Sequence, residues 1–203
     1  MSTAQPTGLP ADSRSQQFVS LPCWRFTVPQ DSVLEVRPAG PEDAEAIWHI
    51  TSEAYREHRG QLDPPNGSDI ETPEDVRLQI VQNGALIALL NGVPAASLRI
   101  THELGFLYIG RVGTTPNFRR CGVGAKLMRC AHAAAHLLGY TQVRLGTRAH
   151  LPANIAFYSA LGYFVTLRHR HPRGSDEVVH FARAVSAADA ALLQQYRVTD
   201  EQA

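Results

Sequence analysis

The sequence predicts an α/β protein, a single domain with N- and C-terminal extensions, and three observations carry that reading. Hydrophobic periodicity along the chain gives the order β, α, α, β, β, β, α, β, α, β, β with one appended helix. Two apolar runs are joined by Asn91-Gly92, the strongest short hairpin signal, so strands follow one another directly there. A long apolar stripe between Gly122 and Gly139 has helical spacing and glycine at both ends. A length of 203 residues suits one such unit. The expected boundaries are 1–30 for a partly irregular N-terminal extension, 31–185 for the domain, and 186–203 for a C-terminal helix and tail.

Residues 1–30 are rich in Ser, Gln, Pro and Thr but carry an aromatic patch at Phe18, Trp24 and Phe26, so the second half is expected to dock. VLEVRPA alternates as a strand, and PEDAEAIWHITSEAYREH opens with Pro and three acids, as a helix N-terminus prefers. RGQLDPPNGSDIE has the Pro, Gly, Asn and Asp density of a loop and is long for a mere connection. Thr72 then offers an N-cap, Pro73 the first helical position and Glu74 and Asp75 early acids for a helix to about Asn83. ALIALLNGVPAASLRI and FLYIGRVGT give three antiparallel strands. In the helix after Gly122, Val123, Leu127, Cys130, Ala131, Ala134 and Leu138 form the apolar stripe, with Arg129, His132 and His136 on the other side. QVRLGT is a strand and PANIAFYSALGY a short helix ended by Gly162. FVTLRHR and EVVHFARAV form a hairpin around HPRGSD, and SAADAALLQQYRV is the terminal helix.

Lys plus Arg and Asp plus Glu are each 19, so no global charge steers the chain to nucleic acid or an anionic membrane, and any anion must be met locally. Lys126 is the one lysine, which reads as codon bias toward arginine. Cys23, Cys121 and Cys130 are an odd set without C-x-x-C spacing, which suggests neither a disulfide framework nor a zinc site. With no signal-peptide pattern and no apolar run of the ~18 residues a span needs, a cytoplasmic location is expected.

RRCGVGAKLM places two arginines and two glycines at a helix start, where free N–H groups and the helix dipole favour an anion and glycine allows close approach. It is not the ATP-binding P-loop: no glycine stands five residues before Gly124, and Lys126 is followed by Leu127. Nor is it the dinucleotide fingerprint, since Leu127 holds the third glycine's place. The bland alternative is a tight turn with two solvated arginines. Gly110 and Gly113 in the preceding strand weigh against it, because glycine within a strand marks a bulge or a close approach.

VGTTPNFRRCGVGAKLM resembles the acyl-CoA motif of the GNAT acetyltransferase superfamily: a strand, a Pro past its end, an aromatic, then R-x-x-G-x-G at Arg119, Gly122 and Gly124. ANIAFYSALGYF resembles that family's second signature, an Asn, a Tyr four residues on, then Leu-Gly-aromatic. The elements from 33 to 184 fit the family's mixed α+β sheet, a GNAT-like acyl-CoA N-acyltransferase fold. The resemblance implies that the backbone of Arg119, Arg120, Cys121, Gly122, Val123 and Gly124, aided by the two arginine side chains, binds the CoA pyrophosphate. It implies too that Val112, Gly113 and Thr114 pair with the pantetheine arm like an added strand, the thioester carbonyl lying near a bulged N–H. Asn154 would hydrogen-bond that arm, and Tyr158 would protonate the departing thiolate. Arg120 stands where the family often has glycine.

Where many members carry a glutamate base, this chain has Arg111, which cannot accept a proton. Arg111 is read as either an internal ion-pair partner or a clamp for an anionic acceptor. Glu53, Tyr55, His58, Asp69, Glu71 and Glu103 are the base candidates, each read as a solvated surface group, with a water chain as the other route. His132 and His136 have metal spacing but no third ligand and sit on the polar helix face, so solvated histidines and no metal are expected. His169, His171 and their neighbours form a basic hairpin end, read as a solvated turn. The expected activity is therefore acetyl transfer from acetyl-CoA, as co-substrate, to the amine of a small molecule or amino acid. A non-catalytic acyl-CoA sensor and a protein N-terminal acetyltransferase are the rivals. The expected partners are acetyl-CoA and the amine acceptor, with a homodimer left open and neither nucleic acid nor membrane among them.

Overall fold

Apolar runs of this chain sort between the two faces of one eight-stranded sheet, seen in a computed structural model that describes residues 17–28 and 31–196. The strands are β1 (Trp24–Val28), β2 (Ser32–Pro38), β3 (Ala85–Leu90), β4 (Val93–Glu103), β5 (Phe106–Thr114), β6 (Gln142–Arg148), β7 (Phe164–Arg170) and β8 (Glu177–Ala184). The helices are α1 (Ala44–Tyr55), α2 (Pro73–Gln82), α3 (Val123–Leu137), α4 (Pro152–Ala160) and α5 (Ala187–Leu192). Spatial order is β1-β2-β3-β4-β5-β6-β8-β7, antiparallel throughout except at β5–β6, where the pairing is parallel.

β3 shows why ALIALL is apolar without alternation: Leu86 and Ala88 enter the larger core, Ala85 and Ile87 the smaller, so the strand is covered on both faces. α3 covers the larger core with Val123, Leu127, Cys130, Ala131 and Ala134, while α1 and α2 close the other face through Ile47, Ile50, Val76 and Ile80. The Asn91-Gly92 turn has φ of +50° and +79°, the pair of left-handed values of a type I′ hairpin. Thr72 caps α2 as expected, its hydroxyl accepting from the Asp75 N–H at 3.2 Å while Asp75 accepts from the Thr72 N–H at 2.9 Å.

Three expectations need correction. The sheet starts at Trp24, ahead of the expected boundary, because Trp24 and Phe26 alternate inward against β2 and Phe18 is fully buried beside them. The terminal helix is short, α5 followed by a single turn at Gln194–Tyr196, and the expectations for residues 1–16, 29–30 and 197–203 lie outside the described residues. His132 is not solvated: it is 2% exposed, and its Nε2 shares a 2.9 Å hydrogen bond with the Tyr163 hydroxyl. The polar face assigned to α3 is covered there by α5 and by Tyr163 in the turn after α4, a packing that helical periodicity alone does not reveal.

Candidate functional site

The site forms where β5 and β6 part. Their ladder holds at Leu107–Val143 and Tyr108–Arg144 and then ends, so the edge of β5 from Gly110 to Thr114 faces β6 without a strand partner. On its other side β5 bulges: Ser97 pairs Gly113 but Arg99 pairs Gly110, leaving an extra residue between. Arg111 takes φ +50° at that point, a left-handed backbone that costs a residue other than glycine about 1–3 kcal/mol. The Tyr55 hydroxyl holds the bulge by donating to the Val112 carbonyl at 3.0 Å. Tyr55, expected as a surface group, is thus a strut from α1 to β5.

Beyond β5, a turn at Pro116–Phe118 and left-handed residues Arg120 (φ +61°) and Gly122 (φ +80°) swing the chain into α3. No side chain caps α3, so its first N–H groups and the positive end of its dipole face the cleft. Gly124 matters for its missing side chain: a Cβ there would sit 3.2 Å from Thr114 Oγ1 and 3.7 Å from the Phe157 ring. Lys126 folds back over this turn, its Nζ 3.5 Å from where a Gly122 Cβ would lie. The two arginines differ. Arg119 lines the cleft, but its guanidinium donates to Thr114 O, Glu57 Oε1 and Ala54 O at 3.3, 2.8 and 2.9 Å, bracing β5 against α1. Arg120 is exposed and has no ion-pair partner among the described residues. The Cys121 thiol donates to Phe118 O at 2.8 Å.

Two cavities open from the gap. One of about 700 Å³ runs from the α3 N-terminus past Val112, Gly113 and Thr114 to Asn154 and Tyr158. A second of about 450 Å³ lies under the 59–71 loop and the β7–β8 turn. Tyr55, His58, Val112, Leu151, Asn154 and Tyr158 line both and so mark their junction. Asn154 and Tyr158 share one face of α4, as their spacing predicts, and Asn154 Nδ2 donates to Thr147 Oγ1 at 3.3 Å. Tyr158 is 7% exposed, packed edge-on to Phe157 and Tyr163, and burial pushes its phenol well above the usual range. Its hydroxyl makes no hydrogen bond among the described residues.

The smaller cavity holds the residues that the sequence reading missed. Arg99, within the apolar run of β4, is 1% exposed and donates to both Glu71 oxygens at 2.9 and 2.6 Å and to Gln79 Oε1 at 2.7 Å. Glu71 is therefore no surface group; it also stands 3.5 Å from Arg111 Nη2. An arginine inside AASLRI is the signal that could have marked this pair. Of the other base candidates, Glu53 pairs with Arg56, Asp69 lies 3.5 Å from Arg59 Nε, Glu103 is exposed at the β4–β5 turn, and His58 stands at the cavity junction. The two loops of the roof are tied together. Ser175 donates through N–H and hydroxyl to Asp63 Oδ2 at 2.7 and 2.6 Å, and Asp63 N–H donates to Asp176 Oδ2 at 3.0 Å. Arg148 from β6 reaches across to Pro64 O at 3.0 Å. His171 lines this cavity, while His169 stacks on His180.

A profile of the acetyltransferase (GNAT) family matches residues 44–163, more than half of the chain. No curated protein sequence matches it. Among solved structures, the ribosomal-protein-S18-alanine N-acetyltransferase from Escherichia coli superposes with a TM-score of 0.62 at 20% identity, covering 75% of this chain and 94% of that one. A GNAT-family acetyltransferase from Streptococcus pneumoniae has a TM-score of 0.62 at 18% identity, covering 75% and 99%. The PaiA N-acetyltransferase from Thermoplasma acidophilum, solved with coenzyme A, has a TM-score of 0.60 at 18% identity, covering 72% and 97%. These likenesses establish a shared fold. Among the described residues, no helix is long and apolar enough to cross a membrane.

Proposed function

Since the chain belongs to the acetyltransferase (GNAT) family, we propose that it transfers the acetyl group of acetyl-CoA directly to a primary amine of a small acceptor. The observation that carries this reading is the junction of the two cavities at Tyr158, one reaching the uncapped α3 N-terminus and the other roofed. The residues present fit the co-substrate. Free N–H groups and Arg120 suit the pyrophosphate, and the unpaired β5 edge suits an amide-bearing arm laid alongside it.

In the step proposed, the acceptor nitrogen bonds to the thioester carbonyl carbon as the carbon–sulfur bond breaks. The nitrogen sheds one proton to cavity water, Tyr158 gives its proton to the thiolate, and the phenolate recovers the shed proton. The products are an N-acetyl amide and CoA as its thiol. Burial keeps the Tyr158 hydroxyl protonated at working pH, the state a donor needs, while making it a weaker acid that gives up its proton only to the thiolate as that charge develops. Holding two reactants at adjoining cavities supplies much of the acceleration. The clasped roof favours a small acceptor over a peptide terminus.

Calorimetric titration with acetyl-CoA, followed by thiol release across a panel of amines, tests the reading. Acetyl-CoA is expected to bind and at least one amine to release thiol; no binding at millimolar concentration sinks the proposal. Binding without transfer to any amine would instead favour a sensor. Tyr158→Phe should lower kcat about 10²-fold or more while leaving acetyl-CoA affinity within about twofold. Unchanged turnover over the working pH range would remove Tyr158 from its role.

A further inference from the structure

An amine reaches neutral solution as a cation, yet the smaller cavity is lined by Arg99, Arg111, Arg148 and Arg173 against Glu71. The other carboxylates nearby are Asp176, 3.6 Å from Arg148 Nη1, and Asp63 of the clasp, which also feels the Arg148 charge. Four guanidinium groups thus face three carboxylates. Arg99 has its terminal nitrogens on both Glu71 oxygens and Gln79, with Nε shielded and without a hydrogen bond. Arg111 is less fully engaged. Its Nη1 donates to Asn66 Oδ1 at 3.2 Å and its Nη2 stands 3.5 Å from an oxygen already taken by Arg99, while its Nε is shielded from solvent without a hydrogen-bond partner. Arg148 is also incompletely engaged, with Nη2 on Pro64 O and Nη1 shielded, without a hydrogen bond and 3.6 Å from its ion-pair partner Asp176. Arg173 stands exposed at the rim and forms no ion pair among the described residues.

Cationic side chains whose shielded donors are incompletely satisfied suit an anion as ligand. The backbone points the same way, since the left-handed bulge that presents Arg111 is strained and braced by Tyr55. We propose that the acceptor amine carries an anionic group of its own, a carboxylate or a phosphate, bound by Arg111 and Arg148; this rests on the acetyl-transfer reading. The same surplus of positive charge disfavours an ammonium group beside it, so the acceptor nitrogen binds as the neutral nucleophile. Arg111 then serves where a carboxylate base is absent. A cavity of about 450 Å³ beneath the tied loops has room for an amino acid or a phosphoamine.

The test pairs acceptors that differ in the anion: amino acids against their C-terminal amides, and phosphoethanolamine against ethanolamine, with acetyl-CoA saturating and thiol release as readout. The anionic member of a pair should be favoured in kcat/KM by about 10-fold to 100-fold, and Arg111→Gln or Arg148→Gln should abolish that preference without changing acetyl-CoA affinity. Arg111→Lys should restore part of it. Whichever pair shows the preference identifies carboxylate or phosphate. Equal or better turnover of the amines that lack the anion, or a preference that survives both substitutions, overturns the inference while leaving acetyl transfer standing. If acetyl-CoA binds but no amine releases thiol, the transfer reading fails. Glutamate and inorganic phosphate are then compared by thermal shift, and failure of both to stabilise the wild type more than Arg111→Gln overturns the anion site as well.

Discussion

His132 offers the sharpest energetic prediction. Its ring is 2% exposed and hydrogen-bonded to Tyr163, and burial, aided by the positive charges of Arg183 and Arg129, lowers its pKa from 6.5 to about 3, against a partial counterweight from Asp189. The sign follows from linkage. Unfolded, the imidazole takes up a proton near pH 6.5; folded, it stays neutral until about pH 3, so between those values the unfolded state binds more protons and stability falls as pH drops. Above pH 7 the effect vanishes. At about 1.4 kcal/mol per pH unit, lowering pH from 7 to 5 should remove about 2 kcal/mol through His132 alone. The assay is urea unfolding of the wild type and of His132→Gln, a neutral group that can still reach Tyr163, at both pH values. Other titrating groups move both proteins alike, so the wild type should lose about 2 kcal/mol more than the variant. Equal losses in the two proteins would show that His132 protonates in the folded state, and the account of its burial would be wrong.

Two further predictions concern the walls of the two cavities. Gly124→Val sets a Cβ 3.2 Å from Thr114 Oγ1, which must give way, and directs branched carbons toward Phe157, so the Kd for acetyl-CoA in calorimetry should rise about tenfold or more and thermal unfolding should fall by a few degrees. Retained affinity would mean that the ligand does not pass over this turn. Gly174→Ala would set a Cβ against the Asp63–Pro64 peptide, so the clasp should part and the amide hydrogens of Asp63, Ser175 and Asp176 should exchange about tenfold faster or more, with those of α3 unchanged.

Much of the fold was legible because its signals are local. The Asn91-Gly92 turn, the Thr72 cap, the α3 stripe and the glycines that end α3 and α4 each depend on neighbours within a few positions. What could not be read depends on distant pairing. Arg99 and Glu71 are 28 positions apart, and the clasp joins Asp63 to Ser175 across 112. Periodicity says that Arg99 shares a face with Ser97 but not that a loop residue will arrive to neutralise it. Arg119 shows the converse case. Its place in the R-x-x-G-x-G motif was legible, but the direction of its side chain was set by two carbonyls and Glu57. Trp24 and Phe26 alternate correctly for a strand, yet five residues beside prolines give too short a pattern to separate from an irregular segment.

The position of the site follows from one change of strand direction. Every pair in the sheet is antiparallel except β5–β6, and a parallel pair requires a crossover, supplied here by α3. That crossover brings the carboxyl ends of β5 and β6 to the same side and sets the N-terminus of α3 beside them, where ligands of open α/β sheets bind. The bulge at Arg111 and Val112 then bends β5, and its ladder to β6 stops at Tyr108. Hydrogen-bonding groups that a continuous sheet would satisfy are thereby left facing the gap. β6 continues to Arg148, whose guanidinium turns into the smaller cavity, while α4 brings Asn154 and Tyr158 to the junction. The donors for the larger cavity are thus mainly backbone groups, indifferent to side-chain identity, whereas the smaller cavity is furnished by side chains from β4, β5, β6 and the roof. On this division, substitutions at Arg111 and Arg148 should alter which amine is taken, and substitutions at Gly124 should alter whether the acyl donor is held at all.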